Sequence, residues 1–263
     1  MTGVAKGTVL KLLAELGAAC SEYQDKTLQN LPCRDIQCDE IWSFVGAKEK
    51  NVPKEKRGPG RGDCWTWTAL CADTKLIACW HVGRRDALAA RAFVEELASR
   101  LAHRVQLTTD GHKPYLKAVE DAFGWNGVDY AMLDKLYDMP STDAGSIEAR
   151  RRYSPANVVG TDRKVIMGNP NMDKVSTSYV ESHNLTMRMR NRRLTRLTNG
   201  YSKKWENHMH AMSLYMMAYN FLHVHHTLTK ARNGVHTTPA MAAGVADHVW
   251  KVEEIVALLP DSN

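Results

Sequence analysis

The ten residues IQCDEIWSFV, Ile36 to Val45, are apolar nearly throughout and rich in β-branched and aromatic side chains, the pattern of a strand buried on both faces. Asp39 and Glu40 interrupt it. A carboxylate left ionised inside such a strand without a cation or hydrogen-bond donor costs several kcal/mol, so these two acids need a chemical reason. Alternation along a strand turns Asp39 and Glu40 to opposite faces. If Asp39 faces a site, Glu40 points away from it and is left outside the ligand set.

A polar loop from Gly46 to Asp63 follows, ending in GPGRG. Two more strand-like runs, Trp65 to Ala72 and Leu76 to Val82, flank the turn residues Asp73, Thr74 and Lys75 and predict a hairpin. Leu88, Ala92, Phe93, Leu97 and Leu101 form a helical stripe within residues 85–103. Val105 to Thr109 is then a short strand ending at Asp110 and Gly111, and the carboxyl end of a strand in an α/β sheet is where ligands bind. Pro114 suits a first helical turn, Tyr115 to Phe123 continues as helix, and Val128 to Leu136 returns as a fifth strand. Residues 138–174 are polar and irregular. Two long helices, Ser178 to Leu194 and Lys203 to Leu228, precede TPAMAAG and a short terminal helix. Ahead of the first strand, TVLKLLAELGAA (residues 8–19) predicts a helix with Gly17 as its stop. The class is α/β.

The chain has 263 residues, 44% hydrophobic and 24% charged, enough for a sizeable core and too apolar for a disordered or low-complexity protein. Six Cys, several inside apolar runs and none in a CxxC pair, suit reduced core thiols better than disulfides or a metal finger. With no leader-like or membrane-length apolar segment, the expectation is a cytoplasmic protein with no membrane partner. The net charge of +6 is unevenly spread: residues 147–205 hold 13 basic against 4 acidic residues. From Ser182 to Trp205 there are seven basic residues, Arg188, Arg190, Arg192, Arg193, Arg196, Lys203 and Lys204, and no acid. That density points to a polyanion, and nucleic acid before any other; a solvated helix face is the bland alternative. Asp110, at the end of its strand, and Glu181, opening the basic helix, join Asp39 as acids from three separate elements. Taken singly, Asp110 suits a turn or N-cap and Glu181 a first helical turn. Together they offer hard oxygen ligands for Mg²⁺ or Mn²⁺.

Asp39 in CDEIWSFVG, Asp110 in TTDGHKPY and Glu181 in SYVESHNLTMRMRNRRLTRLTNGYSKKWENH resemble the three acidic signatures of DDE transposases of bacterial insertion sequences, and most closely those of the IS1 family. The resemblance runs from CRDIQCDEIW to TPAMAAGVADHVW. It implies an RNase H-like mixed sheet flanked by helices with a helical C-terminal extension. It further implies catalysis of DNA end cleavage and strand transfer by two Mg²⁺ or Mn²⁺ ions on Asp39, Asp110 and Glu181, and a nucleoid-associated homo-oligomer acting on double-stranded DNA, both element ends and target. Arg188, two helical turns beyond Glu181, takes the place of a phosphate-positioning residue. The expected regions are 1–32, a helical remnant of a helix-turn-helix with Gly3, Lys6, Thr8 and Lys11 near DNA, or else a docking helix that packs on the core; 33–228, the catalytic domain; and 229–263, a helical tail. Two other readings remain: an RNase H-like nuclease using only water, and a catalytically silent DNA-binding inhibitor. His223, His225 and His226 lack Cys or acid partners at ligand spacing and read as surface or DNA-facing. Trp65, Trp67 and Trp80 read as sheet packing, and Met209, Met212, Met216 and Met217 as helix core.

Overall fold

The structure, a computed structural model, describes residues 3–56, 58, 60–137, 158–195 and 198–260. After a first helix, α1 (Lys6–Thr27), come three antiparallel strands, β1 (Asp35–Val45), β2 (Gly62–Cys71) and β3 (Ile77–Gly83). Helix α2 (Ala87–Arg100) then leads to β4 (Val105–Asp110), which lies parallel to β1, and α3 (Pro114–Phe123) leads to β5 (Val128–Tyr137), parallel to β4. With β6 (Val158–Met167) beside β5 at one edge, the order β3-β2-β1-β4-β5-β6 makes a six-stranded mixed sheet flanked by helices. Asp86 accepts the Ala89 amide at 3.0 Å to start α2, and Pro114 occupies the first turn of α3, where no amide is needed.

The antiparallel edge strand β6 (Val158–Met167) is an element the sequence reading leaves as irregular. Its side chains are exposed on both faces apart from its end, so neither alternation nor an apolar run marks it. The rest of that stretch, residues 138–157, lies outside the described residues.

Two apolar layers sandwich the sheet. One joins β-sheet residues such as Cys38, Trp67 and Leu107 to Phe93 and Leu97 of α2, Tyr115 of α3, and Cys20 and Leu28 of α1 (Lys6–Thr27). The other packs Ile41, Leu70 and Ile77 against Val180 and Met187 of α4 (Ser178–Arg190) and Met212 and Met216 of α5 (Trp205–Met217). Trp67 is fully buried, as are Met212, Met216 and Met217, whereas Met209 is exposed rather than core. All six Cys are buried free thiols. No helix among the described residues is long and apolar enough to cross a membrane.

Two helix boundaries differ from the sequence reading. Gly17 does not stop α1, which continues to Thr27. It lies where α1 and α5 pack closely: a Cβ there would lie 2.4 Å from the His210 Cβ and 2.6 Å from its Cα. Gly17→Val is therefore expected to force the helices apart and cost about 3 kcal/mol, read as a lowered melting temperature; an unchanged melt would contradict this contact. The second long helix also breaks early. It passes from α5 into a π-helical turn, Ala218–Leu222, where buried Asn220 leaves the helix surface to bond both the amide and carbonyl of Ile77 in β3. Short helices α6 (His226–Ala231), α7 (Pro239–Ala242) and α8 (Val252–Val256) complete the chain.

Candidate active site

The sheet opens between its two central strands. β1 pairs with β4 only from Asp35 to Gln37, while β4 stays paired with β5 as far as Asp110. Beyond Gln37 the strands diverge, and from β1 the chain turns one way to β2 and the other way to β4. This is the topological switch point at the carboxyl ends of parallel strands, where α/β sheets bind ligands. A cavity of about 640 Å³ lies there, lined by Asp39, Asp110 and Glu181 together with Arg85, Lys135 and Thr177. The three predicted acids thus face one space.

Each is held by local chemistry. Buried Gln37, two residues before Asp39 on the same face, accepts the amides of Tyr179 and Val180 at 2.9 and 3.3 Å and so fixes the start of α4, one residue before Glu181. Three residues beyond Glu181, Asn184 donates its Nδ2 to Asp39 Oδ2 at 2.9 Å, while Asp39 Oδ1 accepts the Glu40 amide at 2.8 Å. Asp110 Oδ1 accepts the His112 amide at 3.0 Å, which fulfils the turn role as well as leaving Oδ2 for the cavity. The carboxylate of Asp134 lies over Gly111, where an added Cβ would make it turn aside. Replacing Gln37 with Leu removes the acceptor for two helix-start amides, one of them buried, and a destabilisation of about 1–3 kcal/mol is expected; a melt equal to wild type would contradict this anchoring.

Carboxylate oxygens of Asp39, Glu40 and Asp110 lie within 4.8 Å of one another. Alternation does hold, since Gln37, Asp39 and Ile41 face α4 and Cys38 and Glu40 face α2 and α3. Glu40 nevertheless joins the group, because β4 ends at Asp110 and the longer side chain reaches past the strand end. Arg85 ties it in, with Nε 3.1 Å from Glu40 Oε2 and Nη2 3.0 Å from Asp110 Oδ2. Glu181 stands apart from this tight group, bonded by Lys135 and by the Thr177 hydroxyl.

The electrostatics show a site short of positive charge. Burial, and then the negative charge of Asp110, push the Asp39 carboxyl up to about 6. Burial and Asp110 likewise push Glu40 up to about 7, against the opposing pull of the Tyr115 hydroxyl and Arg85. The donor set suits a hard divalent cation, for which carboxylate oxygens sit about 4 Å apart across the ion. The buried Asn184 Oδ1 beside Asp39 also has no hydrogen-bond partner among the described residues.

The predicted basic run divides. Arg188 is half-buried on the helix face that carries Glu181 and Asn184. Arg190, Arg192, Lys203 and Lys204 are exposed. Arg193 is half-buried and donates to Ser202 Oγ at 3.2 Å, so part of its work is to fasten the segment after α4. Arg196 lies outside the described residues.

No family model matches the chain, and no curated protein matches it. The functional reading therefore rests on the residues themselves. Of the side chains that shape the site, sequence reasoning missed Arg85, Lys135 and Asn184 and set Glu40 aside. Asn184 carried a usable signal, its i+3 spacing from Glu181. Arg85 and Lys135 carried none, because only the sheet order brings them beside acids 45, 25 and 46 residues away.

Proposed function

We propose that this protein is a DDE transposase of the IS1 type, with an RNase H-like fold, that cuts DNA at the ends of an insertion sequence and joins the freed 3′-hydroxyl to target DNA. The observation that carries the reading is the meeting of Asp39, Asp110 and Glu181, from β1, β4 and α4, around one cavity at the sheet's switch point. The succession of three antiparallel strands, helix, parallel strand, helix and parallel strand supports the fold.

Asp39 and Asp110 would hold a divalent cation between them, and Glu181 would close the ligand set from α4 once freed from Lys135. Divalent ions at such a site activate a hydroxyl nucleophile and stabilise the leaving oxygen of an in-line displacement at phosphorus. Arg85 neutralises Glu40 and Asp110 in the metal-free protein and lies at the cavity wall, where it can turn to a DNA phosphate when Asp110 takes a stronger cation. Arg188, Arg190 and Arg192 extend the positive surface away from Glu181 and position the DNA backbone without reading sequence.

The test incubates purified protein with a labelled element end and Mg²⁺ or Mn²⁺. Nicked and joined products are expected. Nicks without joining would replace this reading with that of a nuclease, and binding without either product would replace it with that of a silent DNA-binding protein.

A further inference from the structure

The far end of β1 carries a second feature. Beyond Glu40 the strand keeps β2 as its neighbour but has lost β4, and alternation puts Trp42 and Phe44 side by side on one face. The segment after α4 closes over this end. Gly46 donates its amide to the Ser202 carbonyl at 2.8 Å, and Val45 bridges to Ser202. Tyr201 thereby lands against Phe44. The three rings form a short ladder, with Trp42 and Phe44 centroids 5.7 Å apart and tilted by 38°, and Phe44 and Tyr201 4.7 Å apart and tilted by 35°.

These rings are each half-buried, and ammonium groups cover them. Lys48 Nζ stands 5.7 Å from the Trp42 centroid and 5.9 Å from that of Phe44, and Lys203 Nζ stands 3.0 Å from that of Tyr201. Trp42 also lines an open cavity of about 560 Å³ with Lys48, Lys50, Glu49 and Asp63. Among the described residues, positions 46–63 carry five basic against three acidic side chains, and positions 198–204 carry two basic and no acid.

We propose that Trp42, Phe44 and Tyr201, with Lys48 and Lys203 above them, form a stacking surface for the bases of an unpaired DNA strand. A partner for this surface needs flat apolar faces and regularly spaced negative charge. An unpaired strand offers both, whereas a duplex hides its base faces. Ring stacking with bases is sequence-tolerant, and each lysine has a phosphate to move to when a base takes its place over the ring. Trp42 and Phe44 lie about 10 and 16 Å along the strand from Asp39, at about 3.3 Å per residue. The inference rests on the transposase reading for its choice of DNA, and it extends that reading from a duplex phosphate track to a separate place for a melted strand.

The test measures fluorescence anisotropy of the full-length protein in EDTA with a labelled ten-residue oligothymidylate and with a duplex of equal length. Tyr201→Ala is expected to weaken the single strand about tenfold and the duplex by less than about twofold. Lys48→Ala combined with Lys203→Ala, two surface changes that leave the rings in place, is expected to flatten the single-strand salt dependence by about 1.4 in log–log slope. Single-strand affinity and slope unchanged in both variants, or equal losses on both DNAs from Tyr201→Ala, would overturn the proposal. Metal-free binding does not depend on catalysis, so wild-type protein that binds in this pattern but never nicks an element end would sink the transposase reading alone. Protein that nicks and joins, with the single-strand binding of both variants unchanged, would sink this proposal alone.

Discussion

Asp39→Asn, Asp110→Asn and Glu181→Gln should each lower metal-dependent cleavage of an element end by at least about a thousandfold, with DNA binding still measurable. The size follows from what is removed. A carboxylate that binds a cation supplies both a ligand and the negative charge that holds the ion, and the amide that replaces it supplies neither charge nor comparable affinity. Groups acting as one unit are also strongly non-additive, so combining any two changes should cost little more than the worse single change. Binding should survive because the exposed Arg190, Arg192, Lys203 and Lys204 lie on other surfaces than the cavity wall. Gel separation of nicked and joined products checks this, and cleavage retained in any one variant removes that residue from the role.

The same Asp39→Asn change should stabilise the metal-free protein. Asp39 ionises near pH 6 in the folded chain against an ordinary value of 3.8, and Glu40 near 7 against 4.5. The folded state therefore holds more protons than the unfolded state between about pH 4 and 7, and stability falls as pH rises through that window and levels off above it. For Asp39 the shift corresponds to about 3 kcal/mol at pH 8. Replacing it with Asn removes that penalty and keeps the hydrogen bonds, because the Asn184 amide, whose Oδ1 is unpartnered, can turn over to accept from the new side chain. A melting temperature about 5–10 °C above wild type is expected in EDTA at pH 8, shrinking toward pH 5. Saturating Mg²⁺ should close the gap by stabilising the wild type alone. A variant that melts below wild type at pH 8 would mean that the cluster carries no excess negative charge. Loss of cleavage alongside a gain in stability is the signature of a site strained by its function.

Much of this arrangement was legible in the chain because the informative residues break a local rule. Asp39 and Glu40 stand out only against the apolar run around them, and Asp110 marks the end of a short apolar strand. The seven basic residues after Glu181 stand out because no acid intersperses them. Elements whose periodicity reflects burial, β1 to β5 and α2 and α3, were legible for the same reason. β6 was not, since an edge strand exposed on both faces has no burial pattern to display. Gly17 misled because a glycine needed for close approach of two helices is written identically to one that ends a helix. Glu40 misled for a geometric reason: alternation separates neighbours across a paired strand, but the separation closes where the next strand has ended. Arg85 and Lys135 depend on strand order, a property of no single segment.

The decisive measurement is anomalous X-ray scattering from crystals of the protein grown with Mn²⁺. A manganese peak is expected within about 2.2 Å of carboxylate oxygens from both Asp39 and Asp110, with Arg85 withdrawn from Asp110 and Glu181 released from Lys135 toward the ion. A cavity without manganese at saturating concentration, or manganese bound elsewhere while Arg85 still bridges Glu40 and Asp110, would contradict the account.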